Sequence, residues 1–443
     1  MSERTLIEET LEKINRKVIL AGWVNTVRNH GRIIFVDLRD RDGLIQVIFG
    51  GKLAKEAKKL RPEWVIKIEG LVKKRPEKLI NPDLPTGTVE VEAQSLTILS
   101  QSDELPFDLG KKKLNVNIST LLDYRPLSLR HPYHRAIFKV QETIAETFRE
   151  TLKKEGFTEI FPPTIVPSVT EGGAQVFKID YFDKKAFLAQ SPQLYKQIMV
   201  GVFEKVFCLA HAYRAEPSVT TRHLTEYVGL DVEMGFIESF NDLMELAEKL
   251  IRNIFAAINQ KNQKELDVFK ATTPLLPKGE IPKMKLREVQ EIIFERTGKD
   301  CRQEPDLQPE DEKEICQYAK EKFNSELIFI THYPTKKRPF YTYPDPEDPE
   351  YTQSFDLLGR GMEWITGGRR INDYQMLVEN IQKWGNKPEV FETYLQAFRY
   401  GMPPEGGFCL GLERITMNVL GLKNIREASL FPRDMKRVDV ILE

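Results

Sequence analysis

The sequence predicts an α+β protein: a small β-barrel domain followed by a larger domain of helices around a mostly antiparallel sheet. Three observations predict it. Residues 1–100 read as short β-branched segments bounded by Gly and Pro, with one helix among them. From residue 133 onward, long helices mix with strands without the regular βαβ rhythm of a parallel sheet. The 443 residues also suggest two or three domains, at roughly 150 residues each.

The elements follow in order. A short amphipathic helix is expected at 5–15, then strands at 17–27, 32–39 and 44–49. A Lys-rich helix at 52–60 precedes strands at 64–72 and 88–99. Three strands, a helix and two strands is the order of an OB-fold, a small barrel that often binds oligonucleotides. Residues 101–132 hold Pro106, Pro126 and Pro132 and the basic run Lys111 to Lys113, and read as a hinge. Within 133–443, helices are predicted at 133–155, 240–260 and 285–297. Strands are predicted at 205–212, 230–236, 362–366 and 407–410. The Pro-Asp stretch 341–351 cannot be a central strand, because proline gives no donor to the ladder.

Composition excludes several classes. Charged residues at 30% and hydrophobic ones at 41% suit a globular protein rather than a disordered one. No window approaches the roughly 18 unbroken apolar residues of a membrane span, so no membrane partner is expected. The acidic, helix-like start lacks the layout of a signal peptide. Cys208, Cys301, Cys316 and Cys409 lie far apart with no CxxC, which argues against a disulfide frame or a zinc finger. A reducing, cytoplasmic setting is the expectation. Net charge is −1, with residues 1–100 at +4 and the remainder at −5, so only the front end is mildly basic.

No P-loop and no GxGxxG opens a helix. Three polar clusters stand out instead. The first runs from Phe207 through Arg214, Ala215 and Glu216, then Arg222, His223, Leu224 and Tyr227 to Asp231, and reads as strand, loop, strand. Arg214, Arg222 and His223 could surround a polyphosphate, since arginine gives planar bidentate donors. A charged hairpin with solvated tips fits the same pattern. In the second, Asp356 and Glu363 lie across a Gly-bearing turn and could face each other on adjacent strands. That suits Mg²⁺, which takes one or two carboxylates plus phosphate oxygens. A tight hairpin with a surface ion pair is the plainer alternative. Gly367 and Gly368 would admit a ligand to the backbone, with Arg370 reaching in. The third, Gly406 to Arg414, is a Gly-rich strand leading to a helix, where glycine marks close approach of a ligand or another backbone.

Together these residues resemble a class II aminoacyl-tRNA synthetase, most closely the compact archaeal and eukaryotic aspartyl type. The stretch 207–227 resembles motif 2, 406–414 resembles motif 3, and 156–163 resembles motif 1 with its dimer-interface proline. The combination of RAE…TTRHLTEY with GLGLER is highly specific, and the likeness covers nearly the whole chain. It implies an anticodon-binding role for the OB-like part, 1–100, a hinge at 101–132, and a class II catalytic domain at 133–443.

The resemblance also implies roles. Arg214 would bind the ATP α-phosphate and the substrate carboxylate, and with Arg414 would carry catalysis. Glu216 would contact adenine, Tyr227 would stack on it, and Arg222 and His223 would hold the outer phosphates. Arg414 would cover the other adenine face and reach the γ-phosphate. Ala215, Leu224, Gly411, Leu412 and Glu413 would line the nucleotide site. Glu363, with Asp356 and Thr366, would place Mg²⁺. A mobile loop at 170–174 would bring Glu171 near the ammonium of L-aspartate. Gln193, Leu194, Tyr195, Lys196, Asp231, Thr366 and Arg370 would complete that pocket, with Lys196 and Arg370 meeting the side-chain carboxylate. The residues after Arg370, Ile371 to Tyr374, depart from the usual basic pattern.

In the OB-like part, Phe35 and Gln46 match positions that stack on and hydrogen-bond the central anticodon base. His30 and Pro85 resemble the relaxed branch, which charges both tRNA(Asp) and tRNA(Asn). The expected activity is therefore aspartate–tRNA ligation with ATP as substrate, in a homodimer built through motif 1. An asparaginyl-tRNA synthetase, or a tRNA-binding paralogue without catalysis, are the competing readings.

Overall fold

The computed structural model describes residues 3–82, 84–111, 113–167, 175–217 and 220–439. The chain divides into two compact units, Met1–His131 and Pro132–Glu443.

In the first unit, β1 (Lys17–Asn29), β2 (Ile34–Arg39), β3 (Leu44–Phe49), β4 (Val65–Lys74) and β5 (Val89–Ser100) close into a barrel. Its strand order is β1-β2-β3-β5-β4, and α1 (Gly51–Ala57) lies between β3 and β4 in sequence, as expected for an OB-fold. Strand alternation sends Ile34, Val36 and Leu38 inward with Ile45, Val47 and Phe49. Phe35 and Gln46 therefore face outward, half-buried. Gly22 is dictated by close approach: a Cβ there would lie 2.2 Å from the Arg39 carbonyl oxygen.

The helix expected at 5–15 is only a single 3₁₀ turn, Glu8–Glu12. Ile7 and Thr10 are buried while Leu11 and Ile14 are exposed, so one turn exhausts the apolar contact. Within 101–131 two short helices form, Ile118–Asp123 and Arg125–Ser128, the first capped by the Asn117 side chain.

The second unit is built on an eight-stranded sheet. Across it lie Lys283–Lys285, Leu327–Thr331, Ser354–Gly359, Met362–Arg369, Glu405–Gly411, Glu226–Gly235, Lys205–Tyr213 and Thr158–Glu159. Only the outermost pair at each edge is parallel. The expected helices appear at Pro132–Lys154, Asn241–Lys261 and Leu286–Thr297. The buried strand Leu327–Thr331 was not foreseen, because a short unbroken apolar run has no period.

Alternation gives this sheet two different faces. Phe207, Leu230, Val232, Phe355, Leu357, Ile365, Phe408 and Leu410 share a core with residues of the Pro132–Lys154 and Asn241–Lys261 helices, such as Ile144, Phe148, Leu250 and Ile254. Asp231, Glu233, Asp356, Thr366 and Cys409 alternate with these residues, so they emerge on the opposite face. Among the described residues, no helix is long and apolar enough to cross a membrane.

Candidate active site

A cavity of about 340 Å³ lies on the polar face of the sheet. Gln193, Lys196, Asp231 and Arg370 line one part of it; Arg214, Glu216, Arg222, His223, Leu224, Tyr227, Gly411, Glu413 and Arg414 also border it. Asp356, Glu363 and Thr366 complete the set. The three clusters thus converge from separate strands.

One end of the cavity is a buried charge network. The Lys196 ammonium lies 3.0 Å from Asp231 Oδ1 and 3.1 Å from Glu233 Oε2. Burial opposes the Lys196 charge, but Glu233 and Asp231 outweigh it and raise its pKa. Arg370 donates from Nε to Glu233 Oε1 at 2.8 Å and from Nη2 to Gln193 Oε1 at 3.3 Å. Burial also opposes ionisation of Glu233, yet Arg370 and Lys196 hold its pKa below the usual value. Cys409 donates to Asp231 Oδ2 at 3.4 Å, and burial pushes its thiol pKa well up.

Helical period sorts the helix Gln193–Phe203. Gln193, Lys196 and Gln197 are buried together on the network side. Leu194 and Tyr195 instead line a smaller apolar pocket with Val166, Ile198, Phe391 and Tyr394. They are not brought to the cleft, because successive residues point about 100° apart on a helix. Glu171 lies outside the described residues.

The other end is arginine-rich. Arg214 lies with Nη1 3.9 Å from Glu216 Oε1 and its guanidinium 5.8 Å from the Tyr227 ring centre. Arg222 pairs with Glu312 at 3.2 Å. His223 Nδ1 is 2.7 Å from the Thr220 hydroxyl, and burial lowers its pKa against the pull of Glu216. Glu413, in the first turn of the helix Leu412–Leu420, accepts the Val228 N–H at 3.1 Å. Burial pushes the Glu413 pKa up to about 7. Ala215 is tied by its N–H to Gln175 O at 3.1 Å.

Asp356 and Glu363 stand on adjacent strands of one hairpin, and a bulge decides their placement. Leu357 opposes Ile365 whereas Leu358 opposes Glu363, so Trp364 is the extra residue. In a regular strand, with Trp364 paired and no bulge, Glu363 would share the core face of Ile365. Asp356 is paired by Arg338 at 2.8 Å, and Arg338 also donates to the Thr366 hydroxyl at 3.0 Å. Arg414 donates to Glu363 Oε1 at 3.1 Å. Burial and the Asp356 charge raise the Glu363 pKa. Asp356 Oδ1 is buried and accepts no hydrogen bond. Among the described residues no group of three or more His, Cys, Asp or Glu is set to hold a metal. Two carboxylates and one unsatisfied oxygen fit a hard cation that takes its other oxygens from phosphate and water.

Sequence reasoning missed Glu233, Glu312, Arg338 and the Gln197–Glu405 pair. Glu233 was legible, being two residues beyond Asp231 on a strand. Arg338 sits in an aperiodic Pro-rich segment that gives no such signal.

In the barrel, Phe35 is not a core residue; its ring and the His30 ring stand perpendicular with centres 5.3 Å apart. Beside it Arg28 binds Asp37 through two bonds at 2.6 and 2.8 Å and reaches Gln46 Oε1 at 3.0 Å. Gln46 donates to Glu90 at 2.9 Å. Pro85 is exposed in a turn whose Thr86 hydroxyl bonds the Leu44 carbonyl. Phe35 opposes Ile48, four residues along β3 from Leu44, so Pro85 lies near the other end of the strand, roughly 13 Å away.

A class II fold with these converging clusters is matched by known proteins. The family described as tRNA synthetases class II (D, K and N) matches residues 117–435. The chain belongs to this family. An OB-fold nucleic acid binding domain matches residues 18–99. An aspartate–tRNA(Asp/Asn) ligase of Thermus thermophilus is 43% identical over 98% of this chain and 99% of its own. An aspartate–tRNA(Asp) ligase of Pyrococcus abyssi is 40% identical over 97% of this chain and 98% of its own. Among solved structures, asparaginyl-tRNA synthetase from Pyrococcus horikoshii complexed with asparaginyl-adenylate superposes with a TM-score of 0.89 at 34% identity, covering 99% of this chain and 100% of that one. Membership makes this synthetase an aminoacyl-tRNA ligase, of a class that uses ATP and a divalent metal.

Proposed function

We propose that this synthetase is an aspartate–tRNA ligase. ATP and L-aspartate react in line to give aspartyl-adenylate and pyrophosphate, and the aspartyl group passes to the 3′-hydroxyl of the terminal tRNA adenosine. The observation that carries the reading is the buried pair of cations, Lys196 and Arg370, at the amino-acid end of an arginine-lined cleft. Both cations already pair with Asp231 and Glu233, and a charge-assisted bond from the cationic lining is stronger to a carboxylate than to a neutral amide, which favours aspartate over asparagine. The relatives named as aspartate ligases support it.

In this reading Arg214 stabilises charge at the reacting α-phosphate, and Arg222, His223 and Arg414 hold the outer phosphates. Tyr227 and Arg414 take the two faces of adenine, and Glu216 its edge. Asp356 and Glu363, with Thr366 nearby, would hold Mg²⁺, which neutralises charge on the phosphates when bound. The two subunits of a homodimer would meet through 156–163, whose Phe161 is 88% exposed. A cytoplasmic home accords with four free cysteines.

The same reading extends to tRNA(Asn). His30 can donate or accept toward either C or U, and Pro85 offers neither an N–H nor a charge to reject one of them. Several relatives bear the Asp/Asn name, although the Pyrococcus abyssi one bears Asp alone.

ATP–pyrophosphate exchange with aspartate and asparagine in parallel tests the amino acid. Aspartate-dependent exchange is expected; exchange with asparagine alone would make the enzyme an asparaginyl one, and none with either would leave a tRNA-binding paralogue. Aspartylation of purified tRNA(Asp) and tRNA(Asn) transcripts tests the second claim. A kcat/KM ratio above about 10³, within reach of a few kcal/mol of base discrimination, would refute it.

A further inference from the structure

Behind the amino-acid pocket a chain of buried side-chain amides ends on Glu405. Arg370 carries only donors, so the oxygen of Gln193 must face it. The Gln193 Nε2 therefore points to Gln197 Oε1, at 3.0 Å. That oxygen also accepts the Tyr394 hydroxyl at 3.1 Å. Gln197 can then present only its Nε2 to the next residue, and Glu405 Oε1 receives it at 2.9 Å. The direction of every bond is fixed from Arg370 to Glu405.

Glu405 itself is fully buried, and its Oε2 accepts no hydrogen bond. No cation lies within ion-pair distance of it among the described residues; Arg370 and Lys196 are committed to Glu233 and Asp231. An ionised carboxylate in that position would carry an unsolvated, unpartnered charge, which proteins avoid by neutralising the group. Burial first, then the Glu233 charge, raises its pKa well above the ordinary value, against the weaker pull of Gln197, Arg370 and Lys196. Burial first, then the neighbouring carboxyl groups, raises the Tyr394 pKa well above its ordinary value.

We propose that Glu405 is a neutral carboxylic acid in the working enzyme and a positioning residue for amino-acid choice. Through Gln197 it holds Gln193 and Arg370 in one orientation. By being uncharged it leaves two cations, Lys196 and Arg370, balanced against two anions, Asp231 and Glu233. An ionised Glu405 would make that cluster net negative and repel the side-chain carboxylate of aspartate. The inference rests on the aspartate reading given above.

The test compares wild type with Glu405→Gln and Glu405→Leu. Infrared difference spectra, wild type minus Glu405→Gln, should show a protonated carboxyl band at neutral pH. This measurement needs no substrate, so its failure is distinct from a failure of aspartate activation, which wild-type exchange reads. Glu405→Leu leaves the Gln197 amide without its acceptor and should raise the aspartate KM by roughly tenfold or more, with the ATP KM unchanged. Glu405→Gln keeps an acceptor oxygen without charge and should restore the aspartate KM. It should also make that KM less dependent on pH than it is in wild type. A wild-type spectrum without the band would overturn the proposal. So would a folded Glu405→Gln as impaired for aspartate as Glu405→Leu.

Discussion

Lys196 and Asp231 form an ion pair at 3.0 Å with both side chains only 2% exposed. Glu233 closes the same ammonium from the other side at 3.1 Å. In the proposed reading the pair serves both the fold and the pocket, and mutation should separate the two roles. Lys196→Leu leaves the buried Asp231 without its cation, while Glu233 keeps Arg370, and should cost about 3–5 kcal/mol of stability. It should also weaken aspartate far more than ATP. In the double variant Lys196→Leu/Asp231→Leu much of the stability should return, read by urea unfolding, while aspartate-dependent exchange should not. Unchanged aspartate KM and kcat in a folded Lys196→Leu would place the lysine outside the pocket's chemistry.

In the proposed reading Arg214 bears the heaviest load at the reacting phosphate. Its guanidinium borders the cleft from the loop after Tyr213, and its backbone N–H is anchored to Thr225 O at 2.9 Å. Arg214→Ala should keep the fold and lower ATP–pyrophosphate exchange by about 10²–10³, the usual loss of one such donor. Near-normal exchange would remove Arg214 from the reaction.

Glu413 gives a stability signal with pH. Its folded pKa, up to about 7, exceeds the ordinary value of 4.5. The folded state thus keeps a proton that the unfolded state has lost. Its contribution is fully present below the unfolded pKa and is lost as pH rises through the folded one. Between about pH 4.5 and 7 it should cost about 3 kcal/mol. Glu413→Gln keeps an acceptor for Val228 and should flatten that part of the profile, measured as denaturant midpoints across the window. An unchanged slope would show that Glu413 does not titrate there.

These sites were legible to different degrees, for physical reasons. Barrel strands and the long helices announce themselves by period, so β1 to β5 and Pro132–Lys154 were readable. Asp356 and Glu363 were readable as carboxylates on adjacent strands, but their register was not: Asp356 opposes Thr366 and Glu363 opposes Leu358, because of a Trp364 bulge that leaves no mark in the alternation of an apolar run. Leu194 and Tyr195 were grouped with Gln193 and Lys196 by adjacency in sequence, while a helix sorts neighbours by angle. Gln197 and Glu405 lie 208 residues apart, and only the folded sheet brings them together.

Phe35 offers a test that separates the barrel from the catalytic unit. Its strand neighbours Ile34 and Val36 fill the barrel core, so removing the outward ring leaves that core intact. The ring is half-buried, edged by His30, and flanked by the Arg28–Asp37–Gln46 network, which supplies donors and acceptors beside a flat apolar face. Single-stranded bases are held on such platforms at about 1–3 kcal/mol per base. Phe35→Ala should therefore raise the tRNA KM by roughly 5- to 150-fold. It should leave ATP–pyrophosphate exchange unchanged, because adenylate formation needs no tRNA. Loss of exchange in this variant would mean that the ring supports the fold rather than the RNA. An unchanged tRNA KM would move the anticodon contact off this face of the barrel.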